Sequence, residues 1–185
     1  LLVASIVSLI PLAIILAFYH WTSWFSLLVD DSVSLAIPAT EDICRQLFSG
    51  SLPLWSHHTM CGFPLQARGA QVFYPPVLIG HAICLAAGWE GMTYLVATIM
   101  QFRFMSFSSY LYLRIIGSTT LPAATGAVAY SLAGSLLGMG SNWGNYVTLA
   151  TYIPMGFLVL EKFRAGHPSW FWVCMGGIAG SFIFL

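Results

Sequence analysis

Long apolar runs alternate with short polar segments along most of the chain. A helix that crosses a bilayer needs about 20 consecutive apolar residues, and aromatic residues cluster at the ends of these runs, as they do at membrane–water interfaces. The pattern predicts an all-α integral membrane fold with about five transmembrane helices, the last of them truncated. Their predicted ranges are 1–19, 92–116, 119–139, 145–160 and 169–185.

The longest polar segment, 20–91, separates the first two predicted spans. Within it, residues 39–48 place Ile43, Leu47 and Phe48 near one face, a pattern typical of a short amphipathic helix on a membrane surface. Residues 75–87 form an apolar run of a length that is more often interfacial than spanning. We therefore predict a large first loop that carries two interfacial helices.

Basic residues indicate on which side of the membrane this loop lies. If 75–87 does not cross, Arg114 falls on the same side as Lys162 and Arg164, as the positive-inside rule requires. If it does cross, Lys162 and Arg164 lie outside together with the long loop. We prefer the first topology, which makes the loop extracytoplasmic.

The composition favours lipid as the solvent. Hydrophobic residues make up 58% and charged residues 6% of the chain, whereas soluble domains carry about 25% charged residues. Six basic and six acidic residues give a net charge of zero, which argues against nucleic acid as a partner. The apolar ends suggest a single membrane domain cut from a longer chain.

Four of the six acidic residues lie shortly after the first apolar run: Asp30, Asp31, Glu41 and Asp42. One interpretation is that they only solvate the helix end. The functional alternative is a carboxylate at the lipid–water boundary that acts as a general base or holds a divalent cation. Partial burial would raise the pKa of such a group and suit it to base catalysis.

The polar segment also carries an ordered set of motifs. Asp31 is followed by SGSLPLW at 49–55, CGFPL at 61–65 and FYPP at 73–76. As a set they resemble the N-terminal part of the YfhO-type bacterial membrane proteins, relatives of the GT-C superfamily of lipid-dependent glycosyltransferases. The resemblance covers nearly the whole chain. It departs from the family pattern after PLW, where members commonly continue with Asn-Pro and this chain has Ser56 and His57.

The resemblance implies a GT-C-like fold whose large first extracytoplasmic loop carries an essential acid. By position Asp31 matches that catalytic acid, with Asp30 as a close second. The implied donor is a polyprenyl-phosphate sugar, the acceptor lies outside the cytoplasm, and the location is the bacterial cytoplasmic membrane. Membrane lipid is the second implied partner, and whether a divalent cation takes part stays open.

Four further residues are candidates for substrate binding: Arg103, Arg68, Tyr74 and His57. Arg103 is the sharpest of them, because a charge in the middle of an apolar run is costly and usually faces a partner or a wet cavity. We predict no protein metal site, since adjacent histidines such as His57 and His58 usually point apart and a metal needs three or four ligands.

An alternative function also fits the sequence. The chain could be a non-catalytic structural subunit of a larger membrane complex, and of a pigment-containing one if His20 or His81 ligates a pigment. In either case, two sets of glycines predict close helix packing. They are Gly126, Gly134, Gly138 and Gly140, in which Gly134 and Gly138 form a GxxxG motif, and Gly176, Gly177 and Gly180.

Overall fold

The computed structural model describes residues 1–22, 32–56, 61–65, 72–134, 137, 144–166 and 169–183. The chain folds as two compact units. One unit, the loop unit, comprises Leu28–Met100, and the other, the bundle unit, comprises Leu1–Leu27 with Gln101–Leu185.

Helices dominate both units. A π-helical turn, Ser32–Ala36, leads into α2, and a two-stranded antiparallel hairpin lies between α2 and α3. The elements are α1 (Leu2–Thr22), α2 (Ile37–Phe48), β1 (Trp55–Ser56), β2 (Phe63–Pro64), α3 (Pro75–Ala87), α4 (Thr93–Ile115), α5 (Thr120–Ser131), α6 (Gly144–Arg164) and α7 (Trp170–Ile183).

Glycines end the two short helices of the loop unit. Gly50 follows α2 with a φ of +82°, and Gly88 follows α3 with a φ of +69°, the left-handed conformation that glycine adopts without strain. In both cases the next backbone N–H bonds back to a carbonyl of the last turn, at 2.8 Å after α2 and 2.9 Å after α3, as in a Schellman cap. The helix 75–87 occupies the range predicted for it.

The loop unit has its own apolar core. Ile43 and Ala39 on α2 pack with Leu65 and Val72, all at most 3% exposed, and Leu47 packs against the cluster. Of the predicted apolar face of α2, Ile43 and Leu47 therefore pack inside the loop unit, whereas Phe48 is 50% exposed.

Two of the sequence motifs meet in the hairpin. Trp55 of SGSLPLW pairs with Pro64 of CGFPL. At Gly62, with a φ of +117°, an added Cβ would lie 2.9 Å from the Trp55 ring, which is too close for any side chain. The Trp55 ring therefore requires glycine at this position, which gives a structural reason for the two motifs to occur together.

Small residues form the core of the bundle unit. Ala4 of α1 and Ala123 and Ala127 of α5 are fully buried in one cluster with Tyr110 of α4. An added Cβ on Gly126 would lie 2.8 Å from Leu113 Cδ1 of α4, so the absence of a side chain there permits close approach.

The packing predicted from the GxxxG motif is not seen at its first glycine. An added Cβ on Gly134 would have nothing within 4 Å, whereas one on Gly176 of α7 would lie 3.1 Å from Val159 of α6. Gly138 lies outside the described residues. Among the described residues, Gly126 and Gly176 of the predicted sets therefore lie at close helix contacts, whereas Gly134, Gly177 and Gly180 do not.

A proline in α6 leaves one backbone carbonyl without its helical partner. Pro154 has no N–H, so it cannot donate to the carbonyl of Ala150 four residues earlier. The Tyr130 hydroxyl of α5 donates to that carbonyl at 2.9 Å. Burial raises the pKa of Tyr130, so the hydroxyl remains a donor at neutral pH. The Tyr130 hydroxyl of α5 thus replaces the N–H donor that Pro154 removes from the α6 backbone.

The transmembrane fold predicted from the apolar runs is wrong for the described residues. In that part of the chain no helix has both the length and the hydropathy that a span requires. Helices α3, α5 and α7 have 13, 12 and 14 residues, against the roughly 20 needed. Longer helices contain polar interruptions, such as Gln101 and Arg103 in α4. Because the side chains of α1 are described only to Ala17, the finding covers α1 only up to that residue.

We predict that the Tyr130 hydroxyl stabilises the bundle only because Pro154 is present. Tyr130→Phe leaves the Ala150 carbonyl unpaired and should lower the free energy of unfolding by about 1–3 kcal/mol. In a Pro154→Ala background the new N–H can bond that carbonyl, so the same change should cost almost nothing. Denaturant unfolding of the four-variant cycle measures this coupling.

Tyr112→Phe is the matched control for this cycle. Its ring stacks on Phe157, with 5.6 Å between the centroids, and no hydrogen bond of its hydroxyl is seen within the described residues. It should unfold like the wild type. If Tyr130→Phe lowers the free energy of unfolding equally with and without Pro154, the hydroxyl does not act as the replacement donor for the Ala150 carbonyl.

Candidate functional site

A cleft of about 640 Å³ opens in the loop unit. Helices α2 and α3, the Gly88–Gly91 turn and the first residue of α4 form its walls. Both acidic and basic side chains face it, together with one indole ring. The lining residues are Glu41, Arg45, His81, Cys84, Leu85, Gly88, Trp89, Glu90, Gly91 and Thr93.

Glu41 connects α2 to the beginning of α4. Its Oε1 accepts the backbone N–H of Thr93 at 3.3 Å. Thr93 is the first residue of α4, where backbone N–H groups have no partner within the helix and where the helix dipole favours negative charge. The Glu41 carboxylate is thus held at the wall of the cleft by the end of a helix.

His81 of α3 lies beside the same two residues. Its Nδ1 is 2.9 Å from Thr93 Oγ1 and 3.7 Å from Glu41 Oε2, and the Phe48 ring contacts it edge-on, with 4.8 Å between the centroids. The side chain is 10% exposed. With Nδ1 occupied, Nε2 is the ring nitrogen left for a ligand or a proton.

Gly80 explains how α3 brings His81 this close to α4. A Cβ added at Gly80 would lie 3.2 Å from the Thr93 carbonyl oxygen and 3.3 Å from the Ala97 backbone nitrogen. Either distance is tight for a side chain, so glycine lets the backbones of the two helices approach. The residue that follows, His81, is then within hydrogen-bonding reach of Thr93.

Asp42, next to Glu41, faces away from the cleft into the loop unit. The Ser56 hydroxyl of β1 donates to its Oδ2 in a short hydrogen bond, and both residues are buried. Arg45 approaches the other oxygen only to 4.0 Å and remains 72% exposed. Asp42 therefore holds the hairpin against α2. The Arg45 guanidinium is only loosely paired with Asp42 and can interact with an anion in the cleft.

Burial keeps two thiols near the cleft protonated. Desolvation, with contributions from Glu41 and Cys84, raises the pKa of Cys44 to about 12. Desolvation and Glu41 also raise the pKa of Cys84, partly offset by a hydrogen bond with Thr93. Both are free thiols, as are the exposed Cys61 and Cys174. Neither buried thiol is an activated nucleophile, since the thiolate is the reactive form.

The arrangement supports proton transfer next to an anion site. A histidine whose Nδ1 side is fixed by a carboxylate and a hydroxyl can take or give a proton at Nε2. The Arg45 guanidinium can bind a phosphate or carboxylate. Within the described ranges, no group of three or more His, Cys, Asp or Glu residues could hold a metal ion.

The structure separates the site residues predicted from the sequence. Tyr74, at 2% exposure, is buried and does not line the cleft. Arg103 is exposed on the part of α4 that belongs to the bundle unit. The other four predictions lie outside the described residues: Asp30, Asp31, His57 and Arg68.

The sequence pattern did not connect Glu41 with His81 or Thr93. In the sequence, Glu41 stands out only as one of four clustered acidic residues, and His81 only as a candidate pigment ligand. Forty positions separate Glu41 from His81. The available signal was a threonine just after Gly91-Met92, a position typical of the start of a helix.

Comparisons with known proteins add no relative to this picture. No protein-family model, no curated protein and no solved structure matches the chain. The resemblance to the YfhO-type proteins therefore stays a prediction from the motifs.

We predict that the Thr93 hydroxyl holds His81 in place. Thr93→Val keeps the side-chain shape but removes the hydroxyl 2.9 Å from Nδ1 and leaves only the Glu41 carboxylate, at 3.7 Å. This should lower the free energy of unfolding by about 1–3 kcal/mol. Thr93→Ser, which retains the hydroxyl, should restore most of it. Denaturant unfolding checks both variants.

Thr98→Val is the control for that substitution. Thr98 lies on the same helix, is also buried, and its hydroxyl bonds to the Tyr94 carbonyl of its own helix at 2.9 Å. This variant should change stability by much less than Thr93→Val. If both variants lower the free energy of unfolding equally, the exchange of a buried hydroxyl for a methyl group explains the effect, and the bond to His81 does not.

We predict that Cys44 resists alkylation by iodoacetamide. At about pH 8, a pKa of about 12 in place of 9.0 lowers the thiolate fraction by about 1000-fold. Peptide mass spectrometry should find Cys61 and Cys174 modified long before Cys44. Modification of Cys44 at the rate of an ordinary thiol would contradict its burial.

The same thiol gives a sign for the pH dependence of stability. Its pKa is higher in the folded than in the unfolded chain, so its contribution to stability is complete below pH 9.0 and is lost as the pH rises towards about 12. Cys44→Ala should flatten this alkaline loss, which denaturant unfolding at a series of pH values would measure.

Proposed function

We propose that the chain is part of a bacterial glycosyltransferase-like protein that transfers a sugar from a polyprenyl-phosphate donor to an acceptor outside the cytoplasm. The observation that carries the proposal is the cleft in which Glu41 and His81 stand together near Arg45. Transfer of a sugar from a phosphate uses two kinds of group. One is a proton acceptor for the attacking hydroxyl, and the other is a cation that binds the leaving phosphate.

In the proposed reaction the acceptor hydroxyl oxygen attacks the anomeric carbon of the donor sugar. The bond from that carbon to the phosphate oxygen breaks, and the lipid phosphate leaves with its electron pair. The hydroxyl proton passes to a base, for which the Nε2 nitrogen of His81 is positioned by Glu41. Arg45 balances the negative charge of the leaving phosphate.

The resemblance assigns the acid role differently, to Asp31 with Asp30 beside it. Both precede the described helix α2 by only a few residues along the chain. We therefore keep two candidate carboxylates, Asp31 from the motif order and Glu41 from the cleft. A divalent cation, if the reaction uses one, would need the Asp30–Asp31 pair as ligands.

The apolar surface supports membrane lipid as a partner. Leu2 and Ile6 on α1 are 76% and 55% exposed, and Trp170 and Phe171 on α7 are 83% and 59% exposed. Exposed apolar patches of this kind mark contact with lipid or with another protein.

The same exposed residues favour the second candidate function, a non-catalytic subunit of a larger complex. In that case other chains cover the apolar faces, and the cleft residues have only structural roles. His81 does not suit a pigment ligand through Nδ1, because Thr93 occupies that nitrogen.

We predict that Glu41→Gln lowers sugar transfer at least about 100-fold, the effect expected from loss of a group that orients a general base. The assay follows label from a polyprenyl-phosphate sugar into acceptor, using the full chain in membranes from its host. Asp31→Asn should abolish transfer if Asp31 is the acid of the resemblance.

Glu161→Gln is the control, since Glu161 pairs with the exposed Arg164 at 2.7 Å in the bundle unit and does not line the cleft. It should retain wild-type transfer. Full activity in Glu41→Gln and Asp31→Asn would refute the transferase proposal, and stable copurification with other chains would then support the subunit.

A further inference from the structure

Trp89 lines the cleft of the loop unit, and the proposed reaction gives it no role. Its backbone N–H donates to the Cys84 carbonyl at 2.9 Å, the bond that closes α3. A side chain at this point of a Schellman cap commonly packs against the last turn of the helix. That packing does not account for Trp89, because tryptophan is on average a highly buried residue and this one is 56% exposed.

Two glycines fix the turn that carries Trp89. Gly88 and Gly91 have φ values of +69° and +73°, which glycine adopts without strain. A Cβ added at either position would have nothing within 4 Å, so the backbone conformation, and not a lack of space, calls for glycine. The turn therefore presents Trp89 and Glu90 to the cleft from a defined backbone.

Both acceptors and donors of hydrogen bonds share the cleft with the indole ring. Glu41 and Glu90 contribute carboxylates, and Arg45 contributes a guanidinium. Glu90 is exposed and makes no hydrogen bond or ion pair within the described residues, and Arg45 is 72% exposed. A hydroxyl group can donate to the carboxylates and accept from the guanidinium, whereas a carboxylate ligand could only accept and an ammonium ligand only donate. The ligand that suits this lining is therefore uncharged and carries several hydroxyl groups.

We propose that the acceptor of the transfer reaction is a carbohydrate, with one pyranose ring against the Trp89 indole and its hydroxyl groups bonded to Glu90 and Arg45. A pyranose ring carries C–H groups on its faces, which the electron-rich face of an indole attracts, and hydroxyl groups around its edge. This inference rests on the proposed function, to which it adds the chemical class of the acceptor.

A lipid headgroup is the other ligand to which an exposed indole could point, since tryptophan is common at membrane interfaces. The residue that follows Trp89 is the acidic Glu90, and Glu41 lines the same cleft. Anionic membrane surfaces attract basic segments and repel acidic ones. The charges beside the ring therefore favour the carbohydrate.

The test measures sugar binding without any transfer step. The probes are the methyl glycosides of glucose, galactose, mannose and N-acetylglucosamine, added to the purified full chain without any detergent that has a sugar headgroup. Saturation-transfer difference NMR identifies the probe protons that contact the protein, and a titration gives the Kd. We expect saturable binding of at least one probe, with the strongest saturation on the C–H protons of one ring face.

Two variants test the role of the ring. Trp89→Ala should weaken binding of that probe about five- to tenfold, the value of one aromatic contact, and Trp89→Phe should retain most of the affinity. Trp170→Ala is the matched control, because Trp170 is 83% exposed on α7 and does not line the cleft. It should bind the probe like the wild type, and circular dichroism checks that each variant is folded.

Glu90→Ala tests the hydrogen-bonding side of the site. The loss of one bond to a sugar hydroxyl should weaken binding about fivefold. Glu161→Ala, at an exposed acidic residue outside the cleft, should have no effect. If Glu90→Ala and Glu161→Ala both leave the Kd unchanged, Glu90 does not bind the sugar and the proposed site is overturned.

The outcomes separate this inference from the proposed function. No saturable binding of any probe, or binding that Trp89→Ala leaves unchanged, overturns the inference even if Glu41→Gln abolishes transfer. The same holds if Trp89→Ala reduces only cosedimentation with phosphatidylglycerol vesicles, which would make Trp89 a lipid contact. Sugar binding through Trp89 combined with full transfer in Glu41→Gln and Asp31→Asn would instead refute the transferase proposal and leave a carbohydrate-binding site.

Discussion

The contact between Glu41 and the first backbone N–H of α4 is the constraint on which the loop unit depends. A helix that begins in a protein interior must satisfy its first N–H groups with partners from elsewhere. Here the partner is a carboxylate from α2, and the Thr93 side chain engages His81 of α3. The three helices therefore meet at one residue, and the cleft is the space that remains around this junction. Structural and candidate chemical roles coincide in Glu41.

In the bundle unit, too, a backbone group that lacks its partner within the helix is paired by a side chain from another helix. Pro154 deprives the Ala150 carbonyl of its helical partner, and Tyr130 from the adjacent helix supplies a hydroxyl. Buried backbone groups without partners are rare, because each costs about as much as a lost hydrogen bond. A substitution at Tyr130 therefore acts on a neighbouring helix, and the proline of α6 has to be considered together with the tyrosine of α5.

The motifs behind the resemblance have structural roles in the described residues. Trp55 and Gly62 fit against each other in the hairpin, Leu65 lies in the core of the loop unit, and Tyr74 is buried before α3. Residues of this kind indicate a shared scaffold more directly than a shared reaction. The chemistry of the proposed site lies in Glu41, His81 and Arg45, which no motif contains. The proposed activity therefore depends on the cleft residues and on Asp31, and not on the motif residues that form the scaffold.

The sequence by itself determined the local elements, for physical reasons that act over a few residues. Paired prolines begin α3 and Gly88 ends it, so its range could be read directly. The amphipathic pattern of α2 placed Ile43, Leu47 and Phe48 near one face, of which Ile43 is buried and Phe48 is 50% exposed. The pattern could not tell a protein core from a lipid surface, because both bury the same side chains. Apolar composition likewise suggested membrane spans that the described helices do not form. Only the tertiary structure brought Glu41, His81 and Thr93 together, since hydrogen bonds between residues far apart in the chain leave no periodic trace in the sequence.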